Sequence, residues 1–463
     1  MRLAPPPLEI GERTGFDGTD IFGYEEFGRN LASLVESLEG PSVIALDGGW
    51  GSGKTVFAKQ WAGLLRKRGA AVVYFDAFAA DAGDDPLFDI ASQLFAAAPD
   101  GEERRDLVKA AEVFARTLFP VVAGVGLRVG TGGLIDGETI REGASGMAAV
   151  KEAARDRREG TSEAFRQRIE GAQDRADALS DFRQKLAALA ETIRAEALAA
   201  AEEVPEPAKS RPVVMIVDEL DRCRPSYALD VLENLKHVFD VDNVCFVLIT
   251  NLRQLTKAVA DQYGVEDADT YLEKFIHSTF VLPEKDRYAK NKVYIAHLFQ
   301  STLGFEGHSS LREPIELVVS HAGTSLRCIE RVIPNIAWCL ASGVFTEGNW
   351  GGRFLKEGDE QILVPVVVCA TRALNPEMYA SMRVNRVSSD AVQNFFDVQQ
   401  WEVMAPVKER VQDVLSRAFP PAAAVQGDRD VMRKWKSGSL WLLVERVCGL
   451  LDVLGDPVTR RRS

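Results

Sequence analysis

The stretch Gly48-Gly49-Trp50-Gly51-Ser52-Gly53-Lys54-Thr55 decides the fold of this chain. It matches the pattern G-x-x-x-x-G-K-[ST], in which consecutive backbone N–H groups surround a polyphosphate. The apolar run of residues 42–46 before it predicts a buried strand, and apolar residues recur at helical spacing in residues 56–65 after it. A strand, a glycine loop and a helix N-terminus in this order predict a site for a nucleoside triphosphate.

Each residue type in this loop has a physical reason. Glycines let the backbone approach a phosphate that any Cβ would obstruct. Lys54 is predicted to reach the β- and γ-phosphates, and the Thr55 hydroxyl is predicted to coordinate Mg²⁺. We therefore expect ATP and Mg²⁺ as ligands. The expected nucleotide contacts are Gly48, Gly49, Trp50, Gly51, Ser52, Gly53, Lys54, Thr55 and Val56.

A second motif, which is acidic, follows the apolar run of residues 212–217. A carboxylate at the end of a strand beside the phosphate loop can hold Mg²⁺, and Asp218 fits that role. Glu219, the next residue, can polarise the water that attacks the γ-phosphate. Asp221 is the next residue to consider for that second role.

The remaining apolar runs predict the sheet. They occupy residues 71–75, 244–251 and 279–282 and alternate with helical stretches, which is typical of a parallel sheet covered on both faces. We predict an α/β fold with a P-loop core, a helical insertion, a helical lid and a C-terminal helical domain. The expected boundaries are a lead at 1–40, a core at 41–285 with the insertion at 97–210, a lid at 286–345 and a C-terminal domain at 346–463.

The insertion is rich in charge. Residues 148–177 and 179–203 have helical periodicity with many charged side chains, which is typical of a solvated face or a helical hairpin. The uncharged run of residues 117–127 is too short, and too rich in glycine and proline, for a spanning helix of about 20 apolar residues. We therefore expect a loop or a buried segment here and no membrane partner, with a hairpin that dips into a membrane as the alternative.

Composition limits the classes of partner and compartment. The chain has 463 residues, with 55 Lys and Arg against 68 Asp and Glu, a net charge of −13. Sequence-independent binding of nucleic acid by the whole surface is therefore not indicated, although a local basic face stays an open alternative. The six cysteines are far apart in the sequence, which favours reduced thiols in a cytoplasmic protein over disulfides or a zinc site. The N-terminus has no apolar signal segment, which agrees with a cytoplasmic location.

Several segments together resemble the KAP family of P-loop NTPases. The resemblance covers roughly residues 18–340, apart from the insertion. The loop with its Trp50 is similar to the family's G-x-W-G-S-G-K-T, and residues 74–78 resemble its F-N-A-W segment with Asp for Asn and Phe for Trp. The other matching stretches are Leu220-Asp221-Arg222-Cys223-Arg224-Pro225, residues 232–236 and residues 271–275.

This resemblance implies ATP hydrolysis that drives a regulatory or assembly switch. Bacterial members of the family are tied to the exclusion of phage and mobile DNA. Family members often carry transmembrane helices between the two nucleotide motifs. In this chain that place holds the broken apolar run and the charged helices.

Three further residues are candidates for the site. Asn251, with Thr250, ends the strand after the acidic motif, where related NTPases sense the γ-phosphate; a helix N-cap is the alternative. Arg327 begins a helix of the presumed lid, where AAA-like relatives place a phosphate-sensing arginine, and Arg331 is its competitor. Lys274 precedes Phe275 as the finger arginine does in AAA-type ATPases, although a lysine lacks the bidentate fork. A surface pair with Glu273 is the alternative for Lys274.

The leading hypothesis is therefore a Mg²⁺-dependent ATPase whose product is a conformational change, forming a homo-oligomer with ATP and acting on effector proteins that the sequence does not identify. A slowly hydrolysing, nucleotide-controlled binding platform is one alternative. An AAA-like loader that acts on nucleic acid is another.

Overall fold

The computed structural model describes residues 10–38, 40–82, 85–118, 161–202, 211–283, 287–303, 309–321, 325–345, 360–401, 405–437 and 439–454. Within these ranges, five strands form one parallel sheet in the order β2-β3-β4-β1-β5. The strands are β1 (Ser42–Asp47), β2 (Val72–Asp76), β3 (Val213–Asp218), β4 (Val244–Thr250) and β5 (Ser278–Val281). The predicted α/β fold is confirmed.

Within the same ranges the helices are α1 (Glu25–Val35), α2 (Lys54–Lys67), α3 (Ala77–Ala80), α4 (Pro86–Ala97), α5 (Glu102–Leu118), α6 (Thr161–Ala199), α7 (Pro225–His237), α8 (Leu252–Tyr263), α9 (Ala268–Leu272), α10 (Arg287–Leu298), α11 (Ser309–His321), α12 (Leu326–Ala341), α13 (Glu360–Leu374), α14 (Pro376–Arg383), α15 (Ser389–Phe395), α16 (Ala405–Ala418), α17 (Ala422–Val425), α18 (Arg429–Lys436) and α19 (Trp441–Asp452). Short 3₁₀ turns lie at Leu220–Arg222 and Val398–Gln400, and a π-helical turn at Phe299–Leu303.

The sheet is covered on both faces by hydrophobic clusters. Alternate residues of each strand point to opposite sides and so belong to different clusters. In β1, Val43 and Ala45 belong to one hydrophobic cluster, whereas Ile44 and Leu46 belong to the other. Strands β3 and β4 are buried along their whole length. This is why their sequences are nearly continuous apolar runs rather than alternating ones.

The strand order places the two nucleotide motifs on either side of β4. Asp47 at the end of β1 is paired with Thr250 of β4, and Asp218 at the end of β3 is paired with Ile249. The carboxyl ends of three parallel strands therefore lie in one row. In open α/β sheets, ligands bind in the crevice outside these ends.

The charged insertion contributes to the core of the sheet. The Phe182 ring of α6 lies 5.5 Å from the Phe114 ring of α5 and 6.1 Å from the Phe239 ring. Helix is confirmed over residues 161–199, and one face of that helix is buried against the sheet rather than solvated. One continuous helix, α6, joins the described parts of the two predicted stretches from 161 to 199. The structure does not describe residues 119–160, which contain most of the run 117–127 and the start of the stretch 148–177.

The lid and the C-terminal helices share one hydrophobic cluster, which extends from Ile295 to Leu451. This hydrophobic cluster therefore continues across the expected boundary at 345/346, and the domain limits stay a prediction. In the part of the chain that the structure describes, no helix is long and apolar enough to cross a membrane.

Candidate functional site

The phosphate loop connects β1 to the first residue of α2. Gly51 and Gly53 have φ angles of +74° and +93°, a left-handed conformation that side chains with a Cβ rarely adopt. Gly53 is the N-cap of α2, so the loop runs directly into a helix N-terminus. The Gly48 N–H donates to the Thr250 carbonyl at 3.3 Å, which fixes the start of the loop to the end of β4. The predicted loop geometry is present.

Lys54 is buried at the start of α2, and its ammonium group stays within the loop. Its Nζ donates to the carbonyl oxygens of Gly48 at 2.5 Å and Gly49 at 3.2 Å. Burial lowers the pKa of Lys54, while the charges of Asp221, Asp218 and Asp47 oppose that shift. An anionic phosphate in the loop would replace the two carbonyls as the partner of this cation.

One buried polar atom of the loop also favours an anionic ligand. The hydroxyl of Ser52 is buried and has no hydrogen-bond partner among the described residues. Buried hydroxyls are nearly always paired, so an unpaired one needs an explanation. The glycine backbone, the helix N-terminus, Lys54 and this hydroxyl together fit the chemistry of a polyphosphate.

Asp218 is buried at the end of β3, and its carboxylate accepts two hydrogen bonds. Tyr74 Oη donates to Oδ2 at 2.5 Å and the Glu219 N–H donates to Oδ1 at 2.8 Å, and the Thr55 side chain is close enough to lower the pKa of this carboxyl. Burial raises the pKa of Asp218, and these hydrogen bonds partly offset the shift. A hydroxyl and a carboxylate are hard oxygen donors of the kind that Mg²⁺ prefers, so Thr55 and Asp218 could hold that ion, and their role as metal ligands stays a prediction.

Tyr74 is a site residue that sequence reasoning missed. Its hydroxyl orients the Asp218 carboxylate, which is how residues behind a metal ligand usually act. Tyr74 lies in the strand predicted over residues 71–75 and in the segment 74–78 that resembles the family, and neither pattern indicates a role in the site. The signal in the sequence is a tyrosine within an apolar run. The β2–β3 register then places Tyr74 beside Ile216, two residues before Asp218.

Glu219 has a strained backbone and an ionic partner. Its φ angle is 61°, in the left-handed region, and Arg222 Nη1 lies 2.7 Å from its Oε1. Burial raises the pKa of Glu219, Arg222 lowers it, and the carboxylates of Asp218, Asp76 and Asp221 raise it further. Non-glycine residues at such φ values cluster at functional sites.

Asp221 connects the loop to the neighbouring strand. The indole Nε1 of Trp50 donates to Asp221 Oδ2 at 2.5 Å, and the Thr250 hydroxyl donates to Oδ1 at 3.4 Å. The Trp50 ring itself is half-exposed at the mouth of the site. In this conformation both oxygens of Asp221 have partners, so the residue bridges the loop and β4.

Asn251 caps the helix that follows β4. Its side chain accepts from the Gln254 N–H at 3.4 Å, and Asp47 Oδ1 accepts from the Leu252 N–H at 2.8 Å. The capping alternative for Asn251 is therefore present. Its phosphate-sensing role stays a prediction.

The start of α12 packs directly against the phosphate loop. The Leu326 N–H donates to the Gly51 carbonyl at 3.3 Å, and a Cβ on Gly51 would lie 2.9 Å from the Cβ of Ser325 and 3.6 Å from that of Arg327. Arg327 is exposed beside the loop, which is where a lid arginine could contact a phosphate. Arg331 is exposed one turn further along the same helix.

Lys274 lies away from this cluster, in the turn that follows α9. Its side chain is exposed, and its Nζ lies 4.6 Å from the centre of the Tyr271 ring. A finger that acts on a neighbouring subunit would be exposed in one subunit, so its role stays a prediction.

The sheet, the phosphate loop and Asp218 define a P-loop NTPase, a nucleotide-binding class of protein. A profile of the KAP family P-loop domain matches residues 24–341, more than half of the chain. The chain therefore belongs to the KAP family, as the sequence resemblance implied.

Two further comparisons are more limited. The Phage T7 exclusion protein of Escherichia coli (strain K12) is 29% identical over 75 residues, which are 16% of this chain and only 10% of that protein's length. The solved structure of the Aeropyrum pernix ORC2 protein (ADPNP–ADP complexes) aligns over 93% of this chain and 94% of that chain at 12% identity, with a TM-score of 0.36. That score is too low to support an argument about fold or function.

Proposed function

We propose that this chain is a Mg²⁺-dependent ATPase that uses ATP binding and hydrolysis to drive a conformational or assembly switch. One observation carries the proposal. The phosphate loop follows β1, Asp218 and Glu219 lie at the end of β3, both at the same carboxyl edge of the sheet on either side of β4, and the start of the lid helix α12 contacts the loop. A site made from both core and lid can convert nucleotide occupancy into movement of the lid.

Each residue of the site would have a distinct role in ATP binding or hydrolysis. Lys54 would leave the Gly48 and Gly49 carbonyls and pair with the phosphates, because a phosphate is a stronger acceptor than a neutral carbonyl. Thr55 and Asp218 would hold Mg²⁺, which supplies charge neutralisation of the phosphate oxygens. Glu219 would accept a proton from the attacking water once its carboxylate is no longer held by Arg222.

The direct test is ATP binding and phosphate release by the purified protein, with Mg²⁺ and with excess EDTA. We expect saturable ATP binding and phosphate release that needs the metal ion. Lys59→Ala is the matched control for variants of the loop, because Lys59 is an exposed lysine on the same helix as Lys54. A folded protein that binds no ATP at millimolar concentration would contradict the proposal.

A slowly hydrolysing binding platform is the second candidate. Two observations favour it: Lys54 is held by loop carbonyls, and Glu219 is held by Arg222. Both cation–acceptor pairs must break before the chemistry, which would slow turnover. Steady-state turnover with and without DNA separates the three hypotheses. Slow, unstimulated turnover favours the platform, fast unstimulated turnover favours the ATP-driven switch, and fast, DNA-stimulated turnover favours a nucleic-acid loader.

The biological role we propose is defence against phage or mobile DNA, exerted in the cytoplasm through effector proteins. The support is the role in excluding phage and mobile DNA that the family resemblance implies, together with the short similarity to the Phage T7 exclusion protein. The six cysteines, which form no disulfide, agree with a reducing compartment. Phage challenge of a host that expresses the wild type or Lys54→Ala tests the role. Equal plaque numbers in both, across several phages, would contradict it.

A further inference from the structure

A second lysine, from the lid, contacts the phosphate loop. Lys290 lies in α10, and its Nζ donates to the Ser52 carbonyl at 2.7 Å. The same ammonium lies 5.1 Å from the centre of the Phe22 ring and 5.5 Å from that of Tyr24. Lys290 thus joins three separate parts of the chain, namely the N-terminal lead, the loop and the lid.

The carbonyl that Lys290 binds belongs to a residue that lies between two glycines with left-handed backbone conformations. Ser52 is flanked by Gly51 and Gly53, both in left-handed backbone conformation. A charge-assisted hydrogen bond to the residue between them opposes any rotation of the two glycines. The same rotation would move the N–H groups of the phosphate loop, so the hydrogen bond from Lys290 preserves the shape of the loop.

Aromatic contacts fix the lysine in place. The Phe22 ring lies close to the loop, since a Cβ on Gly53 would be 3.7 Å from its Cε2 atom. One turn along α10 from Lys290, the Tyr294 ring lies 6.0 Å from the Phe22 ring. The Tyr294 hydroxyl donates to Glu330 of α12, the helix whose first turn touches Gly51. The lid therefore holds the loop at two adjacent residues, from α10 at Ser52 and from α12 at Gly51.

We propose that Lys290 is a positioning residue of the nucleotide site. It holds the phosphate loop in the conformation that receives a nucleoside triphosphate, and it makes the loop sensitive to movement of the lid. The holding of the loop depends only on the observed contacts, whereas the effect on nucleotide affinity rests on the proposed function.

Lys290→Met and Lys290→Arg separate the charge from the packing. Methionine keeps most of the length and can keep apolar contact with Phe22 and Tyr24 but has no donor, and arginine keeps both charge and donors. Lys292→Met is the matched control, because Lys292 lies on the same helix and its 3.9 Å partner Glu316 also pairs with Arg312. Melting curves establish that each variant is folded.

The first measurement is hydrogen exchange of residues 48–55 in the protein without nucleotide. We expect faster exchange in Lys290→Met, near wild-type exchange in Lys290→Arg and no change in Lys292→Met. The second measurement is ATP titration and the split between KM and kcat. We expect Lys290→Met to weaken ATP binding by about 5- to 10-fold, roughly the effect of one lost hydrogen bond, and to raise KM more than it lowers kcat.

The outcomes distinguish this proposal from the proposed function. If Lys290→Met matches the wild type in loop exchange and in ATP affinity, Lys290 is not a positioning residue, although the ATPase assignment stands. If the wild type binds no ATP, the proposed function fails, and loop exchange alone decides the role of Lys290. Wild-type behaviour of Lys290→Arg together with faster exchange in Lys290→Met would support the proposal.

Discussion

Arg222 Nη1 lies 2.7 Å from Glu219 Oε1, so the carboxylate expected to activate water is held in an ion pair with a residue three positions along the chain. The pair spans one 3₁₀ turn, which begins with Glu219 in a left-handed backbone conformation. Arg222 also counteracts the burial that raises the pKa of this carboxyl. In this conformation Glu219 is paired with Arg222, and a role in activating water would require it to change partner.

Glu219→Gln should keep ATP binding and lose turnover. The amide can still hydrogen-bond water, but it cannot take up the proton. We expect a decrease in kcat of roughly 10²- to 10⁴-fold, the usual contribution of a general base, measured by phosphate release at saturating ATP. Glu273→Gln, at an exposed glutamate, is the control. Turnover at the wild-type rate would assign water activation to another residue, with Asp221 tested next.

Arg222→Met should shift the pH dependence of the reaction. Burial raises the pKa of Glu219 and Arg222 lowers it, so removal of Arg222 leaves the carboxyl with a higher pKa. A higher pH is then needed to ionise the base, and the acid limb of the kcat/KM profile should move to higher pH. Arg224→Met, which removes a more exposed arginine paired with Asp81, should leave that limb in place. An acid limb that is unchanged in Arg222→Met would show that Glu219 does not control it.

Lys54→Ala should weaken ATP binding by roughly 10- to 100-fold, since it removes a charged hydrogen-bond donor to the phosphates. The fold should survive, because the loop carbonyls that Lys54 contacts can bind water instead. Equilibrium binding of a slowly hydrolysed ATP analogue measures the change, with Lys59→Ala alongside. A folded Lys54→Ala protein with wild-type affinity would disprove the assignment of the site.

ATP should promote self-association, with Lys274 acting on the site of the neighbouring subunit. A cation there would neutralise charge that develops on the γ-phosphate, so Lys274→Ala should lower turnover while ATP still binds. Mixtures of Lys274→Ala and Glu219→Gln subunits test the idea, because mixed oligomers contain some sites with an intact Glu219 and a neighbour's intact Lys274. If mixing restores no activity, or the protein stays monomeric with ATP, Lys274 is an ordinary surface residue.

Phe182→Ala should destabilise the whole P-loop core, although Phe182 belongs to the charged insertion. Its buried ring contacts Phe114 and Phe239, and loss of a buried phenyl ring typically costs about 3–5 kcal/mol. Urea unfolding followed by circular dichroism measures the loss, with Gln184→Ala, on an exposed position of the same helix, as the control. A decrease below about 1 kcal/mol would mean that α6 packs only loosely on the sheet.

The amino-acid sequence by itself determined the nucleotide loop, the acidic motif and the class of fold. These are local patterns: a glycine loop between an apolar run and a helical one, and a carboxylate at the end of a buried strand. Strand positions were predicted to within one or two residues, most directly for β3 and β4, because strands buried on both faces need almost continuous apolar side chains. The KAP family membership was likewise visible in short segments.

Only the tertiary structure decided which side chains meet across long sequence separations. The contacts of Tyr74 with Asp218, Trp50 with Asp221 and Lys290 with Ser52 depend on strand order and on how the lid packs, which no local pattern encodes. The burial of α6 was missed for a related reason: charged residues cover its exposed face, and the apolar stripe on the other face gains meaning only beside the sheet. Periodicity specifies an element and its apolar face, whereas the partner of that face is set by the global arrangement of the chain.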